Sequence, residues 1–123
     1  MRRRAAFSRA AACCLAAACL APPPVPADGG VPGWNRLVYL MYRVEVTNYC
    51  GLTTERVLAG FHRQQKALSG DYNLEPHHLE SARVEAWKLA YKEWDNRGLG
   101  GFRGWCRFDA ARYARQLAES PGR

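Results

Sequence analysis

The 123-residue sequence has no run of about 20 apolar residues, the length a helix needs to cross a bilayer, so no transmembrane helix is expected in the folded part. It has no strand followed by G-x-G-x-x-G, no phosphate-binding P-loop and no C-x-x-C-H. Those absences argue against dinucleotide, nucleoside-triphosphate and covalent haem chemistry, and no cofactor is expected. A nucleophile elbow is missing as well, and Ser69, Ser81 and Ser120 have no sequence context that would activate them. Sustained alternation of apolar and polar residues is also lacking, which argues against a sheet.

Cysteine is sparse where it matters. Of 5 cysteines, Cys13, Cys14 and Cys19 fall in an amino-terminal segment of distinct composition. That segment opens on a basic stretch (MRRR), continues as an apolar, small-residue run from Ala10 to Ala21, and ends in a proline-rich stretch at Val25, Pro26 and Ala27. This is the three-part plan of a secretory signal, and the small residues at Val25 and Ala27 suit cleavage before Asp28. The apolar run, about 12 residues, is too short to span a bilayer.

Residues 1–27 therefore read as a leader, 28–33 as a flexible Pro/Gly linker, 34–119 as the folded domain and 120–123 as a frayed tail. Two rival readings of the leader remain. One is a lipid anchor on Cys19, although Ala16 stands where a leucine is usual. The other is twin-arginine export, suggested by Arg3, Arg4 and Phe7.

Charge follows the same division. The formal net charge of +7 includes Arg2, Arg3, Arg4 and Arg9 of the leader. Removing those four from 18 basic residues leaves 14 against 11 acidic ones, a net of +3. So modest an excess makes no electrostatic case for nucleic acid.

The remaining pair, Cys50 and Cys106, is expected to form a disulfide in an oxidising compartment. A domain this small has little surplus stability, and a bridge closing so long a loop is worth about 4 kcal/mol in the chain-entropy model.

Helical spacing recurs along the domain. Trp34, Leu37, Val38, Met41, Tyr42 and Tyr49 predict a first helix with Gly51 as its left-handed stop, against a strand-like alternation at Val44–Thr47. A second helix starts at Thr53 or Thr54, buries Val57, Leu58, Phe61 and Leu68, and ends at Ser69 and Gly70. A third, capped by Asn73 with Pro76 in its first turn, carries Leu79, Ala82, Ala86, Trp87, Ala90, Tyr91 and Trp94 as its core stripe and stops at Gly98. After a glycine-rich loop, a fourth runs from Asp109, its cap, to Glu119, with Phe108 and Tyr113 bracketing its start. The expected fold is all-α, a small four-helix bundle-like domain with one disulfide.

Chemistry is weakly signalled. His77 and His78, with Glu75, Asp71 or His62 nearby, raise a metal site, but adjacent helical residues point about 100° apart and no metal is expected. Asp71, Glu75 and Glu80 supply carboxylates without a recognisable acid and base pair. Trp34, Tyr39, Tyr72 and Trp105 are the aromatic platforms expected at the surface, the kind of face on which sugars stack. The most unusual stretch is RGLGGFRGWCR, residues 97–107, in which Arg97, Phe102, Arg103, Trp105 and Arg107 are the candidate contacts with a ligand or partner.

Together these features predict an exported, non-catalytic accessory protein of the bacterial envelope, periplasmic or secreted, that acts by contact with an unidentified envelope protein. The alternative is a binder of a small anionic ligand or cell-wall fragment at residues 97–107. Contact with the membrane is expected only through a lipid anchor on Cys19.

Overall fold

The computed structural model describes residues 30–121. The expected leader, its expected cleavage before Asp28, the alternative anchor on Cys19 and the last two residues of the expected tail lie outside the described residues. Among the described residues the fold is four helices and no strand: α1 (Trp34–Tyr49), α2 (Glu55–Tyr72), α3 (Pro76–Gly104) and α4 (Ala111–Ala118), with a π-helical segment (Trp105–Ala110) joining the last two. None of these helices is long and apolar enough to cross a membrane.

Helix α1 is the central element, touching every other helix. One side packs Trp34, Leu37, Val38 and Met41 against Ala82 and Ala86 of α3. Another places Leu40 and Val44 against Val57 of α2 and Leu117 of α4. Near its end, Val46 meets Ala90, Trp105, Ala110 and Tyr113. The strand-like alternation at Val44–Thr47 therefore has a helical cause, because a helix wrapped on several sides needs apolar residues around most of its circumference.

The ends of α1 and α2 follow from local chemistry. Gly51, with φ 66°, turns the chain after α1, as its position predicted. Thr54 caps α2 by accepting from the Val57 backbone N–H at 3.3 Å. Helix α2 runs past Ser69 and Gly70, its expected stop, to Tyr72, and ends where Asn73 adopts the left-handed conformation with φ 52°. Asn73 thus closes α2 instead of capping α3, and Glu75 takes that second place. The contact of α2 with α4 is close at Gly60, where an added Cβ would stand 1.7 Å from the Leu117 carbonyl oxygen.

A half-buried guanidinium ties three helices together. Arg43 of α1 donates to Gln64 of α2 at 3.0 Å and to Gln116 of α4 at 3.4 Å, and lies 5.0 Å from the centre of the Tyr39 ring. Its burial holds its pKa below the usual arginine value.

Residues beyond the helices are also anchored. Val31 of the expected linker packs on the first core cluster, and Ser120 of the expected tail accepts a 3.0 Å hydrogen bond from Arg63. The predicted disulfide is present: Cys50 at the end of α1 joins Cys106 in the π-helical segment, with Cα atoms 5.2 Å apart.

Candidate aromatic contact surface

Helix α3 carries two apolar stripes, and the smaller residues face inward. Ala82, Ala86 and Ala90 have no exposed surface and pack against residues of α1. Trp87, Tyr91 and Trp94, expected in the core, remain 48%, 44% and 39% exposed. Adjacent residues on a helix diverge by about 100°, so burying Ala86 turns Trp87 outward.

The outward rings form a continuous row. Trp87 stacks on Tyr91 with centroids 5.5 Å apart and planes 19° from parallel. Tyr91 meets Trp94 at 5.8 Å, and Trp94 in turn stacks on Tyr49 of α1. Tyr49 continues inward to Trp105, which is 1% exposed, and Phe102 lies against Trp105 at 6.3 Å. Such contacts hold side chains in defined positions and add about 0.5–1.5 kcal/mol per pair beyond burial.

The glycine-rich stretch behind this row is helical, not a loop. Gly98, expected to stop α3, only kinks it: its φ is 61°, but the chain resumes helical geometry as far as Gly104 and passes through the π-helical segment directly into α4. Glycine in a helix costs roughly 1 kcal/mol relative to alanine, a preference that tertiary contacts override. Here those contacts are the burial of Trp105 and the bridge to Cys50. A separate cap for α4 is therefore unnecessary: Asp109 sits within the π-helical segment and pairs with Arg112 at 3.2 Å. Phe108, expected to bracket the start of α4, is 68% exposed, while Tyr113 is buried.

The candidate contact residues divide into two groups. Trp105 is core, and Arg97 is a brace that pairs with Glu93, approaches Asp109 at 3.9 Å and lies 5.5 Å from the Trp105 ring. Phe102, Arg103 and Arg107, by contrast, line a surface groove of about 420 Å³ with Tyr49 and Leu52, beside the disulfide. Since Tyr49 belongs both to the row and to the groove, the two form one surface. The aromatic platforms first expected are mostly elsewhere: Trp34 and Trp105 are buried, Tyr72 is half-buried, and Tyr39 alone of the four is well exposed.

Burial raises the pKa of the Tyr49 phenol, with Glu45 and Tyr91 adding to the effect. It remains a neutral hydroxyl at ordinary pH, apolar in body and able to hydrogen bond.

His77 and His78 serve the start of α3, whereas His62 lies in α2. His78 Nδ1 accepts from the Glu75 backbone N–H at 3.0 Å, and His77 Nδ1 lies 3.2 Å from the Glu75 carboxylate. Among the described residues no cluster of three or more His, Cys, Asp or Glu side chains is placed to hold a metal ion.

Comparison with protein-family models, with curated proteins and with solved structures finds no match.

Proposed function

We propose that this chain is an exported, non-catalytic accessory protein of the bacterial envelope, acting by protein-protein contact through the aromatic row and the adjoining groove. The observation that carries this reading is the outward placement of Trp87, Tyr91 and Trp94 on one helix. A line of large, partly exposed rings on a helix whose inward face is alanine is poorly explained by stability alone. Contiguous exposed apolar surface on a small protein marks a contact site, and tryptophan, tyrosine and arginine dominate binding hot spots.

Ring geometry favours a protein partner over a sugar. Trp87 and Tyr91, with planes 19° apart, stack on one another, as do Tyr49 and Trp94. Rings paired in this way give up face area that a sugar would need and leave edges and apolar flanks for side chains. Arg103 and Arg107 at the groove suit acidic or carbonyl groups on the partner.

Export rests on the leader at residues 1–27 and on the disulfide, which persists in an oxidising compartment. A periplasmic or secreted location follows, with a lipid anchor at Cys19 as the second reading.

Photocrosslinking in living cells tests the proposal. A crosslinker at Tyr91 should give one discrete adduct that disappears when Trp87→Ala and Trp94→Ala are introduced without loss of the fold. No adduct at Tyr91, or an adduct indifferent to both substitutions, overturns the assignment of this face.

A further inference from the structure

A second site lies away from the aromatic row. A cleft of about 700 Å³ opens between α1, α2 and the end of the described chain, lined by Arg36, Arg63, Gln64, Lys66, Asp71 and Ser120 among others. Three of these side chains are cationic and one is a carboxylate, so the lining carries a net charge of about +2. We infer that this cleft binds a small phosphate-bearing molecule, with Arg36, Arg63 and Lys66 as the anion-holding residues.

Two of the three cations are positioned in advance. Arg63 donates to the Ser120 carbonyl at 3.0 Å, which fixes its guanidinium at the cleft. The Arg36 guanidinium lies 5.8 Å from the centre of the Tyr72 ring. A guanidinium held in place loses less freedom when it binds, and its planar fork matches phosphate oxygens in pairs. Gln64 adds to the same bias, because its carbonyl already accepts from Arg43, and the other polar group it carries is a donor.

Size points to an organic phosphate in preference to the bare ion. Cavities of roughly 300–1,000 Å³ accommodate small organic ligands, and this cleft falls within that range. Its apolar part, Ala67, Leu68 and Pro121, gives a carbon body somewhere to rest. The site is independent of the aromatic row, so failure of one proposal leaves the other standing.

Titration calorimetry on the disulfide-closed protein, with glycerol phosphate as the probe at constant ionic strength, tests this. Glycerol phosphate should bind where glycerol and chloride do not. Lys66→Gln and Arg36→Gln should each weaken binding about tenfold, the loss expected for one charge-assisted hydrogen bond. Lys66 is exposed, so Lys66→Gln should leave the melting temperature unchanged and keep the test valid if Arg36→Gln unfolds. Vesicles containing phosphatidic acid distinguish the source: binding that depends on Lys66 assigns a lipid headgroup, and binding of glycerol phosphate alone assigns a free metabolite. Glycerol phosphate binding no tighter than chloride, or unaffected by Lys66→Gln, overturns the site.

Discussion

Tyr49 stacks on Trp94 with ring centroids 5.8 Å apart and planes 19° from parallel. Through this contact an exposed ring of α3 is coupled to α1, and Tyr49 also touches the buried Trp105 at 6.0 Å. The outer row is thereby held in place by the core without belonging to it. On the proposed contact its rings would lose little further freedom, which favours affinity.

Truncation along the row should separate binding from stability. Trp87→Ala removes a ring that is 48% exposed and should cost less than about 1.5 kcal/mol while abolishing the Tyr91 crosslink. Trp105→Ala removes a ring that is 1% exposed and should cost about 3–5 kcal/mol. Guanidinium unfolding of both variants is the check. Equal destabilisation would make Trp87 a structural residue and remove the basis for the contact surface.

Two glycines of α2 should respond to alanine with opposite signs. At Gly60 the new methyl would lie 1.7 Å from the Leu117 carbonyl oxygen, a backbone atom that moves only if α4 moves. Overpacking against backbone this close lies at the upper end of the usual range, about 3 kcal/mol, which exceeds the gain in helix propensity of about 1 kcal/mol. At Gly70 nothing lies within 4 Å of the added Cβ, so Gly70→Ala should gain about 0.5–1 kcal/mol. Thermal unfolding should show a lower midpoint for the first variant and a higher one for the second.

The helices and the bridge were legible because their signals are local or arithmetical. Gly51, Thr54 and Pro76 mark helix ends by backbone chemistry alone, and two cysteines outside the expected leader leave one pairing. Which stripe of α3 faces inward was not legible. The spacing of Leu79, Ala82, Ala86 and Ala90 and that of Trp87, Tyr91 and Trp94 are both helical, and hydrophobicity favours the aromatic set. What decided the matter was the close approach of α1, which small residues permit and a tryptophan would block. Leu58, also expected inside, is likewise exposed. The helical state of the glycine-rich stretch was hidden for a related reason, since it depends on Trp105 finding its place against Val46, far back in the chain. The cationic cleft was invisible because Arg36 stands well apart in sequence from Arg63 and Lys66, and the fold alone brings them together.

Loss of the disulfide should act mainly on the unfolded chain. Cys50 and Cys106 are separated by 56 positions, so the bridge shortens the unfolded ensemble over more than half of the folded domain. Replacing both with serine should lower stability by about 4 kcal/mol. That is a large share of the roughly 5–15 kcal/mol typical of a folded domain. Urea unfolding and the rate of proteolysis are the measurements, and stability equal to that of the bridged protein would rule out the staple as a main support.

Alkaline pH should weaken the fold through Tyr42. Burial first, then Tyr113 and Glu93, push its phenol up to about 12, while a hydrogen bond with Trp105 and the Arg97 charge pull the other way. In the unfolded chain the phenol titrates near its ordinary value of about 10. Between about pH 10 and about pH 12 the folded state therefore keeps a proton that the unfolded state has released, and stability falls as pH rises. Below about pH 10 both states are protonated and the contribution is complete. Tyr42→Phe should make the decline shallower without removing it, because the pKa values of Tyr113 and Tyr49 are raised in the same direction. Denaturant unfolding at about pH 9 and at about pH 11.5 gives the comparison, and the difference between the two proteins cancels losses from lysine that both share. Parallel declines in the two proteins would mean that the Tyr42 phenolate is accommodated in the folded state as readily as in the unfolded one.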